Sequence, residues 1–149
     1  MNVRLKKVQK NDAGIIVKWR NENKQFFPEQ PDFTVGSQNH WFTNTYMYDP
    51  TDHYYIVSAD GTPVGTIAID SQSGQIGRVL LGNKNFARKG VMSEALDLLT
   101  STHRGPGSAW LRVLKDNTGA IEFYERNGFK PVRASYQYPD MLVMELNER

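Results

Sequence analysis

The chain has 149 residues, 18 of them basic and 16 acidic, with three histidines and no cysteine. That length suits one domain with a core of its own. The net charge of +2 is too mild to argue for a nucleic-acid partner, and without cysteine there is no disulfide framework, thiol nucleophile or thiolate-bound metal. His40, His53 and His103 lie far apart in sequence, so no metal site is expected. No apolar run approaches the roughly 20 residues of a membrane span, so no membrane partner is expected. The opening MNVRLKKVQKND has no signal-peptide h-region. The expectation is a single cytoplasmic domain over 1–149.

Val3 and Leu5 alternate with Arg4 and Lys6, a first strand at period two. Asn11 or Asp12 can cap a helix in which Ala13, Ile16, Val17 and Arg20 recur at helical spacing beside Trp19. Pro28 and Pro31 interrupt. Ser37 suits the cap of a second helix through about Tyr46. Tyr54 to Ala59 and Val64 to Asp70 read as strands joined by the hairpin signal Asp60-Gly61, and Gln75 to Leu81 as a third after a turn at Ser71 to Gly74. A helix follows from Val91, with Ala95, Leu98 and Leu99 on its apolar face. Arg104 to Ser108 must be loop. Ala109 to Leu114 reads as a strand and Thr118 to about Arg126 as a helix, with Gly128 placed to end it. Phe129 to Arg133 and Met141 to Leu146 close as strands. The order is β-α-α-β-β-β-α-β-α-β-β. This is an α/β (α+β) fold whose sheet of about seven strands is mostly antiparallel. One parallel pair is required by the crossover from Leu81 to Ala109, and about four helices lie on the sheet's faces.

The richest stretch is Leu80 to Leu99, LLGNKNFARKGVMSEALDLL. A strand runs into a basic turn with Lys84, Arg88 and Lys89, and Gly90 opens a helix. The first turn of a helix has backbone N–H groups without partners and a positive dipole end, which together suit an anion. Gly90 permits close approach of a ligand to the main chain. The stretch carries neither G-x-G-x-x-G nor G-x-x-x-x-G-K-[ST], so it is not a dinucleotide fingerprint or a P-loop.

ARKGVMSEAL resembles the pyrophosphate loop Q/R-x-x-G-x-G/A of the GNAT superfamily of acyl-CoA-dependent N-acyltransferases. Gly90 matches the central glycine, while Ala87 and Met92 depart at the first and last positions. Asn117 to Phe129, NTGAIEFYERNGF, resembles the family's second signature, N-x-x-A-x-x-x-Y-x-x-x-G-F, with Asn117, Ala120, Tyr124, Gly128 and Phe129 in place. The resemblance implies a mixed sheet in which Gln75–Leu81 and Ala109–Leu114 splay apart around the pantetheine arm. It implies acetyl-CoA as co-substrate and no metal. Leu80, Leu81 and Gly82 would offer main-chain groups to the pantetheine. Arg88, Lys89, Gly90, Val91, Met92 and Ser93 would hold the pyrophosphate, with Lys84 a weaker candidate for a CoA phosphate. Asn117 would bond the pantetheine amides.

Acyl transfer from a thioester to an amine needs a neutral amine, a polarised carbonyl, a proton for the leaving thiolate and substrates held in reach. The resemblance makes Tyr124 the acid that protonates the thiolate; read from the helix pattern alone it is a core aromatic beside Ile121. Asn117 equally reads as a helix cap, and Arg88 and Lys89 as a solvated turn. For the base, the positions at which family members carry a carboxylate hold Gln75 and Arg112 here. His40, His53, Asp70 or a water chain remain, with His40 the candidate base.

The stretch from Phe26 to Tyr55, ahead of and into the second strand, carries nine of the chain's seventeen aromatics, Phe26, Phe27, Phe33, Trp41, Phe42, Tyr46, Tyr48, Tyr54 and Tyr55. Aromatic faces suit sugar rings and nucleobases as well as core. KWRN at Lys18–Asn21 and HWF at His40–Phe42 resemble the GNAT branch with sugar-nucleotide amine and ribosomal-protein N-terminal acetyltransferases. Arg20, Asn21, His40 and Trp41 are the candidate acceptor-binding residues, Arg20 for a phosphate or as a snorkelling helix residue. The expected activity is acetyl transfer to a small-molecule amine, an amino-sugar nucleotide favoured, by a monomer or homodimer. The alternatives are acetylation of a protein N-terminus or lysine, and a degenerate acyl-CoA-binding module.

Overall fold

The structure is a computed structural model in which residues 1–26, 34–103 and 108–146 are described. Eleven regular elements follow in the predicted order. They are β1 (Val3–Lys7), α1 (Ala13–Glu22), α2 (Val35–Asn44), β2 (Asp52–Ala59), β3 (Thr62–Asp70), β4 (Gln75–Leu81), α3 (Val91–Thr102), β5 (Trp110–Leu114), α4 (Thr118–Arg126), β6 (Phe129–Ala134) and β7 (Met141–Leu146). The expected interruption at Pro28 and Pro31 and the glycine loop at 104–107 lie outside the described residues.

The strands form one seven-stranded sheet in the order β1-β2-β3-β4-β5-β7-β6. Every neighbouring pair is antiparallel except β4 and β5. The β2–β3 hairpin turns on Asp60 and Gly61, both at positive φ (51° and 84°), the geometry that matches the twist of paired strands. Alternate residues of β2 feed two cores on opposite sides of the sheet. Val57 and Ala59 join Ile67, Ile69, Ile76 and Leu111 under α3 and α4. Tyr54 and Ile56 join Val8, Ile16, Tyr46 and Ala68 on the side of α1 and α2.

Three local expectations are corrected. Thr34, not Ser37, caps α2: the Thr34 hydroxyl accepts from the Ser37 N–H at 3.0 Å and the Ser37 hydroxyl accepts from the Thr34 N–H at 3.1 Å, a reciprocal capping box. α2 stops at Asn44, and Tyr46–Tyr48 form a separate 3-10 turn. On α3 the buried residues are Val91, Met92, Ala95, Leu96 and Leu99, whereas Leu98 is exposed. Leu98 projects roughly a quarter-turn from the centre of that stripe.

His103, just past the end of α3, pairs with His53 on β2. The His103 ring stacks on His53 at 4.2 Å and hydrogen-bonds through Nε2 with the Tyr55 hydroxyl at 2.7 Å. Burial, and then the neighbouring His53, push His103 below the ordinary histidine value of 6.5. The unfolded chain therefore binds more protons than the folded one below that value, and stability falls as the pH drops through it. Acidification from pH 7.5 to 5.5 is expected to lower Tm in the wild type, with a visibly shallower slope in His103→Gln; equal slopes would contradict this.

Candidate active site

β4 and β5 pair only at Gln75 with Trp110 and Ile76 with Leu111. Just beyond, the register of β3 on β4 shifts between Thr66 and Ala68. Arg78 takes φ 51° there, and its carbonyl accepts a 2.7 Å bond from the Thr66 hydroxyl. A bulge bends its strand and sharpens the local twist, and past it β4 has no ladder partner on the β5 side among the described residues. The expected splay is present. It opens a cleft of about 860 Å³ between the two strands and the first turns of α4.

Arg78 ties the bulge to its neighbours. Its guanidinium forms a two-pronged ion pair with Asp52, both bonds 2.9 Å, over the rings of Tyr54 (4.6 Å) and Trp41 (5.1 Å). Burial disfavours its charge, but the Asp52 bonds and charge outweigh that and hold it above the ordinary arginine value. Arg20, from α1, stands close by. Burial pushes its guanidinium down from the ordinary value, the Tyr54 phenol opposes this, and the Arg78 charge adds to it.

The far end of β4 is fixed by a close approach. Gly82 lies against the buried indole of Trp19, and a Cβ there would overlap the ring. The N–H groups of Gly82 and Asn83 both donate to the Val64 carbonyl, at 2.9 and 2.8 Å. Lys84 Nζ donates to the Leu81 carbonyl at 2.9 Å and to Asn23 Oδ1 at 3.4 Å. Gly82→Ala is therefore expected to cost about 2 kcal/mol of stability through overpacking, with a changed Trp19 emission; an unchanged Tm would show that α1 gives way freely.

The chain then reaches α3 through Arg88 at φ 62° and Gly90 at φ 77°, ψ 6°. No side chain caps α3 at Gly90, so its first-turn N–H groups have no such partner. Val91 and Met92 bury their side chains in the core, which leaves their main chain as what they can offer a ligand. Lys89 Nζ sits over the Phe86 ring at 5.5 Å. Ser93 Oγ accepts from Asn127 Nδ2 at 3.2 Å, joining the start of α3 to the end of α4.

Asn117 caps α4, its Oδ1 accepting from the Ala120 N–H at 3.3 Å. Tyr124 is 7% exposed, edge-on to Phe123 and Phe129. Burial drives its hydroxyl well above the ordinary tyrosine value, so it stays protonated across the neutral range and can only act as a donor from that state.

Of the residues singled out from the sequence, Arg20, Leu80, Leu81, Lys84, Asn117 and Tyr124 line the cleft together. Gly82, Arg88, Lys89, Gly90, Val91, Met92 and Ser93 continue from the end of β4 into α3 and do not line it. Asn21, His40 and Trp41 are also absent from its lining. His40 is exposed on α2, where Asn44 Nδ2 donates to its carbonyl at 2.9 Å and lies 3.2 Å from its Nδ1. Trp41 stacks on Tyr46 at 5.1 Å in the core beneath Arg78. Arg78, Asn23 and Tyr138 line the cleft without a signal in the sequence, because a bulge arginine and a loop tyrosine reach it only through tertiary pairing. Gln75 and Arg112 line it as well, and no aspartate, glutamate or histidine does so among the described residues.

Residues 16–129 match the profile of the acetyltransferase (GNAT) family. No curated protein sequence matches the chain. Among solved structures, a domain from Methanocaldococcus jannaschii aligns with TM-score 0.80 and 19% identity over 99% of both chains. The aminoglycoside acetyltransferase AAC(6')-Ib in complex with coenzyme A aligns with TM-score 0.81 and 17% identity over 99% of this chain and 95% of that one. FdhC, a nucleotide-linked sugar GNAT, aligns with TM-score 0.76 and 20% identity over 97% and 85%. At these identities the likeness is one of fold. Among the described residues no helix is long and apolar enough to cross a membrane, and no group of three or more acidic, histidine or cysteine side chains could hold a metal ion.

Proposed function

The chain belongs to the acetyltransferase (GNAT) family, and from that premise we propose that it moves an acetyl group from acetyl-CoA to a primary amine on a small molecule by direct attack. An amino-sugar nucleotide is the favoured acceptor. The observation that carries the reading is the cleft between β4 and β5, with the buried, protonated Tyr124 on its wall.

The residues present fit the co-substrate. The free side of β4 beyond Ile76 presents main chain along the cleft. The left-handed Gly90 leaves the N-terminus of α3 without a side-chain cap, where backbone N–H groups and the dipole favour phosphate, and Arg88 and Lys89 flank it. Asn117 spends Oδ1 on its own helix, so its contribution to a ligand falls to Nδ2. When bound, acetyl-CoA supplies an activated carbonyl and a thiolate leaving group. Tyr124, kept protonated by burial, can donate its hydroxyl proton in a hydrogen bond to the departing thiolate, and any proton passed on is replaced from solvent.

The cleft also bears on the amine. With Lys84 and Arg112 in the lining and no carboxylate among its described residues, the field favours the neutral amine over the ammonium ion. That is the form able to attack, so deprotonation falls to solvent rather than to a dedicated base. Release of free thiol from acetyl-CoA, followed with amino-sugar nucleotides, simple amino sugars and peptides as acceptors, tests the proposal. Turnover with an amino-sugar nucleotide supports it, turnover with peptides alone moves the acceptor to protein, and no turnover with any acceptor contradicts it.

A further inference from the structure

An amine near neutral pH is a cation, and the cleft proposed to receive it is lined with cations. Asp52 answers Arg78, but Lys84 and Arg112 have only neutral partners among the described residues. Arg112 is the more unusual. It lies on β5 between the core residues Leu111 and Val113 and so points to the opposite face of the sheet. Its guanidinium is held over the rings of Trp110 (5.1 Å) and Tyr138 (5.5 Å), with one long 3.4 Å bond to Gln137 Oε1. Its Nε is buried and has no hydrogen-bond partner. Stacking on aromatic faces fixes the plane of a guanidinium while leaving its edge donors unspent. A buried donor without an acceptor is costly unless a ligand supplies one.

We propose that Arg112 receives an anionic group, a phosphate or a carboxylate, carried by the acceptor alongside its amine. An oxyanion accepts from Nε and a terminal nitrogen together, the geometry to which a guanidinium is best suited. It also offsets part of the repulsion that the cleft exerts on an approaching amine, with Lys84 still favouring the neutral form, so the substrate class is the amines that carry their own anion. What the anion is attached to rests on the acyl-transfer reading; the anion site itself does not.

The test follows the side-chain Nε–H resonance of Arg112 in protein first loaded with CoA, so that phosphate-binding positions elsewhere on the co-substrate path are filled. Inorganic phosphate and acetate are titrated separately. The expected result is a saturable shift of that resonance with one of the two, the stronger binder identifying a phosphate or a carboxylate as the group read. Arg112→Gln is expected to weaken that anion at least about tenfold and Arg112→Lys to fall between, because the charge survives but the fork is lost. No saturable shift with either anion, or wild-type anion affinity in Arg112→Gln, overturns the proposal. Failure of CoA to bind would overturn the acyl-transfer reading instead, and titration of the free protein would still decide whether Arg112 is an anion site.

Discussion

Tyr124→Phe is expected to lower kcat by about 10²-fold or more while acetyl-CoA affinity changes by no more than about twofold, since a positioned general acid contributes on that scale. The substitution keeps the ring between Phe123 and Phe129 and removes only the hydroxyl. That hydroxyl stays protonated because burial disfavours the phenolate. A thiolate formed beside it meets a protonated donor that can hydrogen-bond the charge developing on sulfur as the C–S bond breaks, and any proton passed on is replaced from water. A loss of kcat without a loss of co-substrate affinity separates this role from packing. If Tyr124 is only a core aromatic on α4, kcat stays within a few-fold and only Tm moves. Measuring kcat, acetyl-CoA affinity and Tm on the same preparation decides between them.

Gly90→Glu is expected to weaken acetyl-CoA by about 100-fold or more, which is about 2.7 kcal/mol. A carboxylate at the start of α3 competes for the same N–H groups that suit phosphate. Gly90 sits at φ 77°, where a side chain costs about 1–2 kcal/mol of stability, a strain carried with and without ligand. The fold should survive. A Cβ at Gly90 meets nothing within 4 Å, and a negative charge at a helix N-terminus recovers part of the strain through the dipole. Gly90→Ala carries the strain without the charge and should lose far less affinity. Equal losses in the two variants would place the effect in the backbone rather than in competition with phosphate.

Where local chemistry decides the structure, the sequence was a good guide. The bounds of β4, α4 and β7 follow from turn residues and periodicity next to them, and the crossover from Leu81 to Ala109 required the one parallel pair. The two motifs located Asn117 and Tyr124, which line one cleft 860 Å³ in volume with Leu80 and Leu81. What escaped is tertiary. The apolar stripe of α3 is rotated relative to its simplest reading, because Met92 and Leu96 pack inward while Leu98 faces out. At the bulge, Arg78 pairs with Asp52, a residue 26 positions earlier, and no local pattern announces it. His40 and Trp41 stand out in the sequence through the resemblance of HWF to one branch of the family, yet Trp41 is spent on packing beneath Arg78 and His40 is exposed outside the cleft. Arg112 stood out only as the absence of a carboxylate, and its aromatic cradle is assembled from the chain between β6 and β7 as well as from β5.

The central claim is that the cleft between β4 and β5, with the start of α3, binds an acyl-CoA. Calorimetric titration of the protein with acetyl-CoA tests it most directly. The account predicts one site per chain in the micromolar range, abolished in a folded Gly90→Glu variant. No heat of binding with acetyl-CoA or with longer acyl-CoAs would contradict it, and the fold would then be present without the chemistry of its family.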